Sequence, residues 1–286
     1  MGVRVMTDST SYIDKDLRES LDIEILSLLI SFEDESIKET EIDNKVFYQM
    51  MERKGIPVSS QPVLGEMYQR MLDIVSKGDD LVCVFISAEM SGTFNSACKV
   101  SEEVMKDCKD SKIVVLDSRS NSMQLGFAAI TAARAAKEGK SIDEVVELVE
   151  RNIKRSRFLF IPDNLEYLKK GGRIGGAAAL FGKMLQIIPV LTVKSGKTAI
   201  LEKVRTKTKA IKVIFNRLLK DNLEFKIKEI VVHHINCYEQ AKELADKLKD
   251  KFDMEISIVD IGPIIGMHVG PGAIGIAYYT EEEISN

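Results

Sequence analysis

Short hydroxyl and amide side chains are grouped in four segments of the first half of the chain. A hydroxyl at a helix N-terminus caps free backbone amides, and with those amides it can also bind an anion or a carboxylate. Three of the segments follow predicted strands, and loops at the carboxyl ends of parallel strands meet at one edge of a sheet. The pattern indicates either capping alone or an anion site at that edge. The segments are residues 7–11, 58–62, 87–96 and 117–122.

Two glycine-rich segments of the second half each contain one functional side chain of interest. Arg173 lies among four glycines in residues 171–176, and His268 is the only titratable group of residues 261–272. Glycine lets a backbone approach a ligand closely, a guanidinium binds carboxylates, and a neutral imidazole can donate to a carboxylate within an apolar wall. Both residues are therefore candidates for ligand binding. A helix C-cap with a surface arginine, and a structural histidine, are the alternatives that stay open.

Several familiar motifs fail on inspection. The sequence GKT at 196–198 lacks the earlier glycine of a phosphate-binding loop, because position 191 is Leu191. The GxGxxG match at 270–275 leaves 11 residues, too few for a dinucleotide-binding unit. His233 and His234 are adjacent in a predicted strand and point to opposite faces, so we expect one in the core, one exposed, and no metal site. We expect no cofactor.

The composition excludes several classes of protein. The chain has 286 residues, is 45% hydrophobic and has a net charge of −4, which is unlike a disordered chain and gives no general attraction to nucleic acid. Four cysteines lie far apart without a CxxC pair, which is typical of a reducing compartment. The N-terminus lacks the apolar region of a signal peptide, and the longest apolar stretch, residues 177–193, is interrupted. We predict a cytoplasmic protein.

The elements that position these segments differ between the two halves of the chain. Apolar runs separated by helical periodicities predict a parallel sheet covered on both faces in the first half. A hairpin and further mixed elements predict an α+β domain with a mixed sheet in the second half. We therefore predict an N-terminal α/β domain, residues 1–155, and a C-terminal α+β domain, residues 156–286.

The predicted strands are residues 4–7, 23–30, 81–86, 113–116, 157–161, 187–193, 199–205, 227–235, 255–261 and 273–279. The predicted helices are residues 45–53, 64–77, 93–107, 122–137, 141–154, a short one around 165–168, then 207–220 and 238–251. Ser141 and Glu144 form a capping box that opens one of these helices. The glycine-rich residues 261–272 are predicted to form a loop.

Taken together, these motifs resemble the DegV family over essentially the whole chain. The order and spacing of the motifs carry the resemblance, and each motif alone is weak. They are TDS at 7–9, SSQP at 59–62, the ISxxxSGT pattern at 86–93, DS at 117–118, the LxxLxxGGRI pattern at 165–174, and the glycine-rich pattern at 261–272.

The resemblance implies a fatty-acid-binding protein rather than an enzyme. Members of this family bind one long-chain fatty acid, such as palmitate or oleate, between their two domains. Several present its carboxylate to a separate ATP-dependent fatty acid kinase subunit, which makes an acyl phosphate for phospholipid synthesis, with only transient membrane contact. The positions that match the family's carboxylate ligands are Ser59 and Ser91. Arg173 and His268 match residues near the head group that matter for transfer to the kinase.

Two further hydroxyls and several apolar residues complete the predicted binding site. Ser60 and Thr93 lie in the same segments as Ser59 and Ser91, and we expect them to contribute to binding. The chain departs from the family where Ser59 replaces a Thr, which keeps the hydroxyl, and also at Val63 and Met267. Candidate residues for the wall of an acyl tunnel are Phe32, Leu180, Met184, Ile264 and Ile265.

Two other functions stay open at this point. One is a serine hydrolase for acyl esters, with Ser91 as nucleophile and His268 as base. Against it, the sequence contains no GxSxG nucleophile elbow. The other is a phosphate or sugar-phosphate binder that uses Arg173, and this arginine is its only distinct support.

Overall fold

The computed structural model describes residues 2–108, 110–180 and 187–284. Its contacts divide the chain into two units: residues 1–41 with 59–154 form unit 1, and residues 42–58 with 155–286 form unit 2. The strands are β1 (Val3–Asp8), β2 (Ile23–Leu26), β3 (Leu29–Ser31), β4 (Ser36–Lys38), β5 (Val58–Ser60), β6 (Asp80–Phe85), β7 (Ile113–Asp117), β8 (Ser156–Ile161), β9 (Ile188–Lys194), β10 (Lys197–Val204), β11 (Ile227–His234), β12 (Ser257–Asp260) and β13 (Ile274–Thr280).

The helices are α1 (Lys15–Ser20), α2 (Asn44–Lys54), α3 (Leu64–Val75), α4 (Thr93–Asp107), α5 (Ser122–Lys137), α6 (Ile142–Lys154), α7 (Glu166–Lys170), α8 (Lys207–Phe225), α9 (Tyr238–Phe252) and α10 (Pro263–Val269), with 3-10 turns at Ser9–Ser11, Glu39–Glu41 and Gly175–Leu180. Among the described residues, no helix is both long enough and apolar enough to cross a membrane.

Unit 1 is built on a four-stranded parallel sheet in the order β2-β1-β6-β7. Helices α3 and α4 pack on the face that carries Met6, Cys83 and Phe85. Helix α5 contacts β1, β6 and α6, and strand alternation places Val82 and Val84 on that second face. All five side chains are buried, so the sheet is covered on both faces, which confirms the predicted α/β architecture.

Unit 2 is built on a six-stranded mixed sheet in the order β10-β9-β8-β13-β11-β12. Its ladders are antiparallel except for β11 with β12, and β9 and β10 form the predicted hairpin. Helices α8 and α9 pack against one face of the sheet through Ile214, Leu218, Leu244 and Leu248, all of them buried. The predicted α+β domain with a mixed sheet is confirmed.

One predicted strand, residues 23–30, is two strands that belong to different sheets. Strand β2 pairs with β1, whereas β3 joins a three-stranded sheet in the order β4-β3-β5. The chain changes direction at Ser27 and Leu28, where side chains replace the ladder: the backbone N–H of Leu28 donates to Ser9 Oγ, and that of Thr40 donates to Ser27 Oγ. The sequence of this segment is largely apolar and does not show where the strand is interrupted. The interruption coincides with hydrogen bonds to residues that are distant in the chain.

The glycine-rich segment 261–272 is partly helical, so its prediction as a loop is wrong. Helix α10 begins with Pro263, whose fixed φ suits the first helical position. It ends at Val269, and the following Gly270 adopts a φ of 90° that other residues avoid. The expectation of one buried and one exposed histidine is also wrong, because both His233 and His234 are buried.

Residues 42–58, which include α2, group with the second half of the chain. Asn44 donates to Asp260 at 2.9 Å, and the hydroxyl of Tyr48 donates to the carbonyl of Ile261 at 3.4 Å. The chain therefore crosses between the two units at three places in the sequence, twice from unit 1 to unit 2 and once back. The division into an N-terminal domain of residues 1–155 and a C-terminal domain of residues 156–286 stays a prediction.

Candidate functional site

The hydroxyl segments of unit 1 follow the ends of parallel strands. Strands β1, β6 and β7 end at Asp8, Phe85 and Asp117, and residues 9–11, 86–92 and 118–121 follow them. Thr7 is paired with Val84, and Phe85 with Asp117, so these ends lie side by side. The segments therefore share one edge of the sheet, where ligands of open α/β sheets bind.

Ser91 and Thr93 form a hydroxyl pair at the start of α4. Their Oγ and Oγ1 atoms lie 2.9 Å apart, and the backbone N–H of Thr93 donates to Ser91 Oγ at 3.3 Å. Thr93 is fully buried and Ser91 is half-buried. Helix α4 has no acidic residue in its first turn and no side-chain cap at Gly92. Because the helix dipole is positive at this end, the Ser91 hydroxyl lies where a carboxylate would be stabilised.

Gln61 joins the SSQP segment to the same helix. Its Oε1 accepts a hydrogen bond from Ser96 Oγ at 2.7 Å, and a Cβ atom on Gly92 would lie 2.9 Å from that oxygen. Ser59 and Ser60 belong to β5 rather than to a loop; Ser59 is half-buried and Ser60 is exposed. The structure thus ties the segment that carries Ser59 and Ser60 to the one that carries Ser91 and Thr93.

In unit 2, His268 and Arg173 are held at one place through Gly171. A Cβ on Gly171 would collide with the imidazole of His268. The imidazole can therefore lie against the backbone of residue 171 only because that residue is glycine. The guanidinium of Arg173 donates to the carbonyl of Gly171 at 2.6 Å. His268 is buried and Arg173 is half-buried. The two glycine-rich motifs, 171–176 and 261–272, therefore meet at these residues.

Two more glycines of the 261–272 segment face aromatic rings. A Cβ on Gly270 would collide with the ring of Tyr167 on α7, and one on Gly266 would collide with the hydroxyl of Tyr48 on α2. Helix α10, which carries His268, is thus packed closely against α7 and α2. The contacts of Tyr48 and Tyr167, and the link through Gln61 in unit 1, are not predicted from the sequence, because the partner of each residue lies far away in the chain.

The pKa values of this pair favour a neutral imidazole. Burial, and the positive charge of Arg173, lower the pKa of His268 to about 4. Burial also lowers the pKa of Arg173 from its usual value. At pH 7 His268 is therefore neutral, with one ring nitrogen that donates and one that accepts. A neutral imidazole can donate a hydrogen bond to a carboxylate without forming an ion pair with it.

The candidate tunnel residues differ in how the structure places them. Phe32, Ile264 and Ile265 are buried, and Leu180 is half-buried. Met184 lies outside the described residues. Within the described part of the chain, no group of three or more His, Cys, Asp or Glu side chains is arranged to hold a metal ion.

Comparisons with known proteins agree with the motifs. The family model described as "Uncharacterised protein, DegV family" matches residues 2–281. A DegV domain-containing protein of Clostridium acetobutylicum is 56% identical over 284 residues, which cover 99% of this chain and 100% of the relative. The crystal structure of DegV, a fatty acid binding protein from Bacillus subtilis, matches with a TM-score of 0.89 at 31% identity and covers 98% of this chain and 99% of that one.

A stearic acid-binding protein from Eubacterium ventriosum matches with a TM-score of 0.88 at 25% identity, and the match covers 98% of each chain. The family model matches nearly the whole of this chain, and the matches to the relatives extend over nearly the whole length of both proteins. The resemblance predicted from the motifs is confirmed, and this chain belongs to the DegV family.

Proposed function

We propose that this protein binds one long-chain fatty acid. The observation that carries the proposal is the match, over 98% of the chain, to structures of relatives that bind fatty acids, one of them stearic acid. The arrangement of hydroxyls at the start of α4 supports it, because a fatty acid needs donors for a carboxylate that is otherwise costly to bury. Each methylene removed from water adds about 0.8 kcal/mol, so the apolar chain supplies most of the binding free energy.

In this proposal Ser91 and Ser59 hold the carboxylate, and Ser60 and Thr93 assist them. The Ser91 hydroxyl is favoured by its place at the start of α4, where no acidic residue lies in the first turn, and by its bond to Thr93. His268 contributes to binding as a neutral donor, and Arg173 acts on the head group or on the partner. Hydroxyls and a neutral imidazole bind a carboxylate less tightly than a bidentate arginine does, which suits a carrier that must release its ligand.

The protein then acts as a binding subunit and not as a catalyst. It presents the fatty acid to a separate ATP-dependent kinase subunit, which forms the acyl phosphate. A serine nucleophile needs a general base within hydrogen-bond reach, and the partner of the Ser91 hydroxyl is Thr93. A cytoplasmic location fits the four free cysteines of the described chain. Contact with a membrane is transient, as the ligand is taken up or handed on.

The first test is organic extraction of the purified protein and mass spectrometry of the extract. We expect a stoichiometric long-chain fatty acid, whose length and unsaturation report the preference of the site. An empty extract, with no uptake after incubation with palmitate, oleate or stearate, would contradict the proposal. Ester hydrolysis by the purified protein that is lost in Ser91→Ala would instead support a hydrolase.

The kinase role has its own test. We expect acyl phosphate only when this protein, a fatty acid kinase subunit, ATP and fatty acid are all present. Equal product without this protein would show that it is not the presenting subunit, while leaving fatty-acid binding in place.

A further inference from the structure

The carboxylate of Asp8 lies where two strand ends of unit 1 are bonded together. Its side chain is fully buried. Its Oδ1 accepts from the backbone N–H and the hydroxyl of Thr10, at 2.9 and 2.5 Å, and its Oδ2 accepts from the backbone N–H of Ile86 at 2.7 Å. Three donors thus point at one carboxylate, which uses both oxygens as acceptors. The bond to Ile86 joins the end of β1 to the residue that follows β6.

From Ile86 the chain continues directly into the loop that carries Ser91. The backbone N–H of Ser87 donates to the carbonyl of Ser120 at 2.8 Å. The carbonyl of Ser87 accepts from the backbone N–H groups of Met90 and Ser91, at 2.9 and 3.0 Å. The loop is therefore a closed turn that begins at Ile86 and is held further along by Ser120 and by Asp117, whose Oδ1 accepts from the backbone N–H of Ala88 at 3.3 Å. A change in the bond between Asp8 and Ile86 acts at the start of this turn.

We propose that Asp8 is a positioning residue for fatty-acid binding: its ionised carboxylate fixes residues 86–91 so that the Ser91 hydroxyl is placed to meet the carboxylate of the ligand. This inference rests on the proposed function. Two of the donors to Asp8 are backbone N–H groups, those of Thr10 and Ile86. Because they belong to the main chain, they cannot rotate toward another acceptor as a side chain can. Charge-assisted bonds to an ionised acceptor are about twice as strong as neutral ones, so the ionised form holds the loop most firmly.

A neutral group at this position holds the loop less well. In a carboxylic acid or an amide only the carbonyl oxygen is a strong acceptor, so one of the two backbone N–H groups loses its strong acceptor. Burial raises the pKa of Asp8 to about 6, while the bonds from Thr10 and Ile86 oppose the rise. Asp8 is therefore ionised at pH 7.5 and largely protonated at pH 5.

Neighbouring charges are not among the causes of this raised pKa, which comes from burial and is reduced by the hydrogen bonds. The titratable or charged side chains on the elements packed against β1 are Glu24 on β2, Asp80 and Cys83 on β6, and Arg134 and Lys137 on α5.

The test compares the wild type, Asp8→Asn and the exposed control Asp73→Asn. Stearate affinity is measured by calorimetry at pH 7.5 and 5.5, and Tm is measured on the same samples. We expect Asp8→Asn to weaken stearate binding about tenfold at pH 7.5, which corresponds to about 1.4 kcal/mol of binding free energy. The Tm should be unchanged or raised, because a buried charge is removed. The wild type should lose affinity between pH 7.5 and 5.5, and Asp8→Asn should lose less. The control should behave as the wild type does.

Amide hydrogen exchange of Met90 and Ser91 without ligand provides a second readout. We expect faster exchange of these two amides in Asp8→Asn, because the turn that they close is less firmly held. If the wild type binds none of palmitate, oleate and stearate at either pH, the proposed function fails, and the exchange rates still decide the role of Asp8 in holding the loop. Unchanged exchange with unchanged affinity would overturn the inference, and so would a parallel loss of Tm and affinity, which marks a merely structural residue.

Discussion

The candidate residues of the two units are positioned by different physical means. In unit 1, Ser91 and its neighbours lie at strand ends and are held by side-chain hydrogen bonds through Asp8 and Gln61. In unit 2, three glycines permit close packing around His268. Gly171 leaves room for its imidazole, and Gly266 and Gly270 leave room for two tyrosine side chains. Removing one hydrogen-bonding atom should therefore disturb the candidate residues of unit 1. Adding one methyl group at a glycine should disturb the packing of unit 2.

The two regions also respond oppositely to acid. The pKa of Asp8 in unit 1 is raised to about 6, so the native state holds its proton more tightly than the unfolded chain. The pKa values of His233 and His268 in unit 2 are lowered, to about 3 and about 4, so the unfolded chain holds those protons more tightly. Acidification below pH 6.5 therefore stabilises unit 1 through Asp8 and destabilises unit 2 through both histidines.

The largest effect is expected from Gly266→Ala. The added Cβ collides with the hydroxyl of Tyr48, which is itself buried, so α2 and α10 must separate. We expect a loss of about 3 kcal/mol in the free energy of unfolding, at the upper end for overpacking, measured by urea denaturation. The matched control is Gly65→Ala on α3, where no atom lies within 4 Å. Because Gly65 is only the second residue of α3, this change should alter the free energy of unfolding by less than about 1 kcal/mol.

If Gly266→Ala costs no more than Gly65→Ala, the close packing of α10 is not what holds this part of unit 2. A second variant separates the collision from other effects. Gly266→Ala in a Tyr48→Ala background should cost far less than in the wild type, because the colliding ring is absent.

The next largest effect is the pH dependence due to His233. Its ring is buried against Phe158, with ring centres 5.3 Å apart, and burial is the first cause of its lowered pKa, with the charge of His234 second. Since its pKa is about 3 in the native state and 6.5 in a free histidine, stability falls as the pH drops below 6.5. The loss at pH 5 is about 2 kcal/mol. Urea unfolding at pH 7 and pH 5 should show that His233→Leu removes this part of the dependence. An equal pH dependence in the variant would show that His233 titrates normally.

Ser91→Ala removes one hydroxyl from the strand-end segments of unit 1 and tests its role in binding. We expect stearate affinity to fall about tenfold, as for the loss of one hydrogen bond to a charged group, with the free energy of unfolding nearly unchanged. Calorimetric titration and urea denaturation of the same preparation give both values. Ser76→Ala, on an exposed serine that follows α3, is the control. Unchanged affinity would remove Ser91 from the binding site.

The fold and the unit 1 segments were predictable because they depend on local patterns. Helices α4 and α5 follow the predicted ranges, and the hydroxyl segments follow strand ends as expected. What could not be predicted depends on contacts between distant residues. The bond of Tyr48 to Ile261 joins residues 213 positions apart, and no periodicity indicates it. Helix α10 was hidden because its glycines and prolines are typical of loops, although here they mark its ends and its contact with Tyr48.

The smallest effect is expected from Gly92→Ala, which applies the unit 2 test to unit 1. The added Cβ would lie 2.9 Å from Gln61 Oε1, which is the end of a flexible side chain rather than a ring in a packed core. Rotation of that amide relieves the contact and loses only its bond to Ser96. We therefore expect a loss of about 1 kcal/mol or less in the free energy of unfolding, and no loss in a Gln61→Ala background. A loss as large as that at Gly266 would mean that both units depend on glycine packing, and the contrast between them would be wrong.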